Sequence, residues 1–293
     1  MAKEANGTEQ QAPQLELDPR LQEASRLTDE ERWSEAFELL QGMESEYPDD
    51  PMLMAMLGTV AGEMEARGLA YDYFRKGLAA QPTDPDILVL LGAGLARFDD
   101  PEAEGVLRLA ALTAPHFAAA RYQYGSYLAR EGMVELAVSE LVAARDLDPE
   151  DAAIHRELGL AYWLAGDTQS AAASLEQAAE LAAEDVEARL LAGFMRMLSG
   201  EEEEGAEVVV RTAPELEEEG EVQIVAALAA GAEGWIDEAW TALARAGAAA
   251  IPADEALVVE VEEALDAGAE AARRLLLEEV LPRVFHERIL TRP

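Results

Sequence analysis

The sequence predicts an all-α protein, a solenoid of stacked helix-turn-helix units, and three observations lead there. Gly132, Gly166, Gly200 and Gly234 stand 34 residues apart, and Gly125, Gly159 and Gly193 keep the same step. A large apolar residue repeats with them at Leu40, Phe74, Leu107, Leu141, Leu175, Val209 and Leu243, with a single step of 33. Pro48, Pro82, Pro115 and Pro149 close successive units in the same rhythm. Ladders that agree in phase mark a repeat whose units stack because none can bury its apolar face alone.

Taken in order, residues 1–16 are polar, contain Gly7 and Pro13, and read as a disordered N-terminal tail. Seven units follow at 17–50, 51–84, 85–117, 118–151, 152–185, 186–219 and 220–253, with a terminal helical pair at 254–293. The fifth unit shows the local logic. Ile154, Leu158, Ala161 and Ala165 follow helical spacing. Gly166 then stops the helix, since the residue just past a helix end often needs positive φ. Asp167 is placed to cap the second helix, whose one face carries Ala171, Leu175 and Ala178. Small Gly159 and Ala171 let the two helices approach closely. "DDP" at 99–101 replaces the glycine turn and shortens its unit by one residue. A compact alternative turn is expected there, since Asp and Pro build turns readily.

These residues resemble the tetratricopeptide-repeat family. "LGLAY" (Leu158, Gly159, Tyr162), then Ala137, Leu141, Ala144 and Pro149, and Ala70, Phe74 and Pro82 match its pattern of Leu-Gly, tyrosine, alanine, large apolar residue and proline. The leading aromatic is missing: Arg121, His155 and Arg189 stand where it would fall. The resemblance covers 17–253. It implies a right-handed superhelix of about seven repeats with a C-terminal capping helical pair. It also implies a concave surface, lined by each unit's first helix, that receives a segment of another protein. The family's lysine and asparagine clamp for a C-terminal carboxylate is absent, because no lysine follows Lys76 and no asparagine follows Asn6.

Composition narrows the function. The formal charge of −38 opposes a nucleic-acid backbone. Such acidity serves solubility, adaptation to high salt, or a basic partner. Without cysteine there is no disulfide, thiolate nucleophile or cysteine zinc site. The polar start and the lack of a membrane-length apolar run lead to the expectation of a cytoplasmic protein that does not insert in membranes. His116, His155 and His286 lack metal-ligand spacing. "GAGLAR" at 92–97 follows no strand and lies inside a predicted helix, so it is no dinucleotide loop. A non-catalytic protein without cofactor or metal is expected. The acidic runs at 201–204 and 216–220 are either a solvated rim or a dock for a basic segment.

The repeat phase projects a partner-binding groove lined by Met52, Met56, Val89, Tyr122, Leu160, Trp163, Leu164, Leu190, Leu191, Phe194, Met197, Leu198, Ile224 and Leu228. An exposed apolar strip of this kind suits an amphipathic, basic helix of a partner protein. The expected role is a protein–protein interaction scaffold. A dedicated chaperone for an aggregation-prone client, or a structural subunit of a larger complex, are the alternatives. "RLLAGFMRMLSG" at 189–200 stays open between groove and plain core, because Arg189 and Arg196 occupy apolar positions of the pattern and imply a rotated helix. The segment 273–293 has five arginines against three glutamates. It either caps the last repeat, folds back into the groove, or binds a second copy.

Overall fold

A computed structural model describes residues 15, 18–249 and 255–290, and every regular element among them is helical. The tail expected over 1–16 lies outside the described residues except for Leu15. Two compact units divide the chain after Tyr124. The first contains α1 (Pro19–Asp29), α2 (Trp33–Met43), α3 (Pro51–Glu63), α4 (Arg67–Ala79), α5 (Pro85–Ala96), α6 (Ala103–Thr113) and the start of α7 (Ala118–Arg130). The second continues α7 with α8 (Val134–Leu147), α9 (Ala152–Leu164), α10 (Thr168–Leu181), α11 (Val186–Ser199), α12 (Glu202–Thr212), α13 (Gly220–Ala232) and α14 (Ile236–Ala249). It ends in α15 (Glu255–Ala267), α16 (Ala269–Leu275), a π-helical turn (Leu276–Val280) and α17 (Leu281–Leu290). Within the first unit α1 pairs with α2, α3 with α4 and α5 with α6; within the second α9 pairs with α10, α11 with α12 and α13 with α14.

One backbone device joins the helices of every hairpin. Gly132, Gly166, Gly200, Gly234 and Gly268 all have positive φ, between 74° and 104°. Glu31, Glu65 and Asp99 occupy the same turn upstream with φ of 56°, 59° and 52°. The turn thus extends beyond the glycine ladder in both directions. Asp99 makes the left-handed turn of "DDP", while Asp100 pins it. Its carboxylate accepts from Tyr71 Oη at 2.9 Å, Arg75 at 3.3 Å and the Glu102 amide at 2.8 Å. A left-handed non-glycine residue costs roughly 1–2 kcal/mol, part of which glycine returns as backbone entropy. Glu65→Gly is therefore expected to stabilise the chain by up to about 1 kcal/mol in urea unfolding.

Five of the first helices start on aspartate. Asp18, Asp50, Asp84, Asp151 and Asp185 each accept a backbone amide of the turn that follows, and a proline occupies the next position in α1, α3 and α5. This satisfies amides with no partner inside the helix. Asp167 caps α10 by accepting the Ser170 amide at 3.1 Å.

Packing inside five of the hairpins joins two of the sequence ladders. A β-carbon on Gly159 would lie 2.7 Å from Leu175 Cγ. The same close approach pairs Gly58 with Phe74, Gly92 with Leu107, Gly125 with Leu141 and Gly193 with Val209. The glycine of the first helix is the seat of the large apolar residue of the second.

The end of the chain departs from the repeat. α15 packs on α14 and α13, where the first helix of another unit would go. After the Gly268 turn, α16 also packs on α13, and α17 reaches α11. The last helix therefore runs back over first helices of preceding hairpins.

Candidate functional site

The first helices α9, α11 and α13 present the face on which α17 lies. α17 is amphipathic: Leu281, Val284, Phe285 and Ile289 are buried, while Arg283, His286 and Glu287 on the other side are exposed. The Phe285 ring is fully buried and meets two aromatics edge-on. Its centroid is 5.1 Å from Trp163 at 83° and 6.4 Å from Phe194 at 68°. Edge-to-face pairs of this geometry set the positive ring edge against a negative ring face.

Charge closes the contact. The Arg288 guanidinium donates to both Glu187 oxygens, Nε at 2.8 Å and Nη2 at 2.6 Å, and through Nη1 to Glu219 at 2.7 Å. Planar guanidinium and carboxylate match two bonds at once, which fixes orientation as well as charge. Burial disfavours the Arg288 charge, but the hydrogen bonds with Glu187 and Glu219 outweigh it and hold its pKa above the usual arginine value. Arg283 reaches Glu221 at 3.2 Å, and Arg273 of α16 donates two bonds of 2.5 Å to Glu202. These exposed pairs orient more than they stabilise.

The residues projected as a groove have distinct fates. Leu160, Leu190, Leu191, Phe194, Met197, Ile224 and Leu228 are buried in one continuous core of the second unit, which also contains Phe285. Trp163 and Leu198 are partly buried and pack on that core; Leu164 is half-buried. In the first unit Val89 is buried, Met52 and Met56 are partly buried against its core, and Tyr122 is half-buried. The structure brings Trp163 and Phe194 together through Phe285. Among the described residues, α11 and α13 carry no apolar strip open to solvent, because neighbouring helices and α17 cover those side chains. Arg189 and Arg196 fit because they leave the helix at its edges, to Glu215 at 2.8 Å and Glu176 at 2.7 Å.

Glu187 and Glu221 do not stand out in the sequence, whereas both acidic runs touch the basic tail, the first through Glu202 and the second through Glu219. The available signal is the contrast between an acidic body and an arginine-bearing end.

His155 is structural: buried at the start of α9, its Nε2–H donates to the Pro149 carbonyl at 2.8 Å. Among the described residues there is no group of three or more His, Asp or Glu able to hold a metal, and no helix long and apolar enough to cross a membrane.

Glu233 stands near the acidic run. Burial first, then the charges of Glu203 and Glu202, raise its pKa above the usual carboxylate range. Its folded pKa exceeds the unfolded one, so its contribution to stability is present at low pH and is lost as pH rises through the folded value. Glu233→Gln is expected to raise the thermal midpoint at pH 7, and the gain should vanish in scans below the ordinary glutamate pKa.

Helix hairpins joined by a left-handed turn, several of them seated glycine to large apolar residue, and stacked with the second helix of one against the first helix of the next, define a tetratricopeptide-repeat fold. No family model matches the chain, and no curated protein does. Among solved structures it is similar to the Cut9–Hcn1 hetero-tetramer of the APC/C, with TM-score 0.67 and 14% identity over 83% of this chain and 48% of that one. It is also similar to PilW, a type IV pilus biogenesis factor, with TM-score 0.59 and 19% identity over 66% and 90% of the two chains. A thermophilic repeat protein of this type from Thermus thermophilus gives TM-score 0.52 and 23% identity over 61% and 98%.

Proposed function

We propose that the chain is a non-catalytic protein-interaction scaffold, and that the α9–α11–α13 face of its second unit binds an apolar, arginine-bearing helix of another protein. The observation that carries this reading is how α17 is held. An aromatic side chain fills a slot between Trp163 and Phe194, and an arginine one turn later is gripped by Glu187 and Glu219. Helix-in-groove recognition uses this combination of apolar anchors on one stripe and charged groups at the rim. The acidity of the chain then favours a basic partner and speeds its encounter. The Cut9 relative forms a hetero-tetramer with Hcn1, in keeping with a scaffold of this fold.

Site-specific photo-crosslinking in cells tests the reading. A crosslinking residue at Trp163 should join the chain to another polypeptide, and the joined segment should be helical, with an aromatic and an arginine on one face. The same residue at Trp240, exposed on the second helix α14, should not capture that segment. Equal capture at both positions, or crosslinks confined to the chain itself, would overturn the reading.

A further inference from the structure

We infer that α17 is a built-in occupant of the α9–α11–α13 face, and that a partner helix with an aromatic and, three residues on, an arginine binds there only by displacing it. The inference rests on the proposed function and adds the partner's recognition pattern and its regulation. Three observations carry it. First, the chain leaves the repeat after α16: α16 still pairs with α15 while packing on α13, and instead of starting another hairpin the chain runs on through α17 back to α11. Second, the π-helical turn at Leu276–Val280 ends two residues before Pro282. Proline lacks an amide hydrogen, and its ring crowds the carbonyl four residues back. A π turn accommodates that fault by widening the helix, and the inserted register rotates everything downstream. Through it Phe285 and Arg288 lie on the face that meets α11, as Leu275 and Leu276 upstream lie in the same core.

Third, α17 is clasped from one side only. Its outer residues Arg283, His286 and Glu287 are exposed, and its polar grip consists of Arg288 with Glu187 and Glu219 and of Arg283 with Glu221. Every one of these contacts can be reproduced by a separate helix bearing the same two side chains. A tethered occupant reduces the apparent affinity of an outside ligand by the fraction of time the face is open.

The test uses the full-length chain and a fluorescein-labelled peptide with the sequence of residues 278–290, EEVLPRVFHERIL. Fluorescence polarisation should show the peptide binding full-length Phe285→Ala and Arg288→Ala at least about tenfold more tightly than wild type, because both substitutions loosen α17. The Arg288→Ala chain leaves the apolar core intact, and circular dichroism checks that each variant keeps its helix. A peptide with alanine in place of its phenylalanine should lose binding to both variants. Equal affinity for wild type and variants would overturn the displacement while leaving the face as a receptor. No binding to either folded variant would overturn the proposed receptor itself. A wild-type chain that light scattering finds as a dimer, and that Phe285→Ala turns to monomer, would make a second copy the occupant and overturn the intramolecular assignment.

Discussion

Phe285→Ala is expected to destabilise the second unit by about 3–5 kcal/mol if the site keeps its shape, the range for removing a buried phenylalanine. The ring is fully enclosed, and its two edge-on partners Trp163 and Phe194 each add about 0.5–1.5 kcal/mol beyond area burial. The shape need not be kept, however. α17 is the last described helix and is held from one side, so releasing it competes with leaving a cavity beneath it. The chain takes the cheaper course, which caps the measured loss at the free energy that seats α17. The two outcomes differ in hydrogen exchange. Release leaves the amides of 281–289 unprotected while those of α9 and α11 stay slow, and it lowers the urea m-value because Leu281, Val284 and Ile289 are already exposed before global unfolding. A cavity lowers protection throughout the unit and leaves the m-value unchanged. Release is the expected result. A loss below about 1 kcal/mol with unchanged exchange would mean that the ring contributes little packing.

The repeat is readable because its strongest constraints act on residue type. A left-handed turn favours glycine, and a close helix approach excludes a side chain, so both leave ladders in the sequence. The turn escapes notice where Glu31, Glu65 and Asp99 adopt the same backbone at a cost, and there the ladder breaks without the structure breaking. Aspartate caps at Asp50, Asp84, Asp151 and Asp185 are equally open to inspection. The site is harder to read. Periodicity tells which helix face points toward the first-helix side, but not what lies upon that face. Leu190, Phe194 and Met197 therefore read equally well as groove or core, and the deciding contact comes from Phe285, 91 positions beyond Phe194. Contacts at such separation, set by a turn and a π-helical register, leave no ladder.

Phe74→Ala is expected to destabilise the first unit by about 3–5 kcal/mol, toward the upper end. Four hairpins seat a large residue against one glycine, but Phe74 lies against two. β-Carbons on Gly58 of α3 and on Gly94 of α5 would fall 2.6 Å and 2.4 Å from its ring. A cavity left by Phe74 would thus have two walls without side chains, and nothing on them can swing in to fill it. The converse substitution, Gly94→Ala, overpacks the same contact and should cost about 1–3 kcal/mol. Combining Gly94→Ala with Phe74→Leu should restore part of both losses, since the smaller side chain vacates the space the new methyl needs. In urea unfolding the double variant is then less destabilised than the sum of the single ones by at least about 0.5 kcal/mol. Strict additivity would mean that ring and glycine do not share the space. The same experiment explains "GAGLAR". Its two glycines share only their spelling with a phosphate-binding loop; Gly92 makes room for Leu107 and Gly94 for Phe74, so their chemistry is that of helices brought close together.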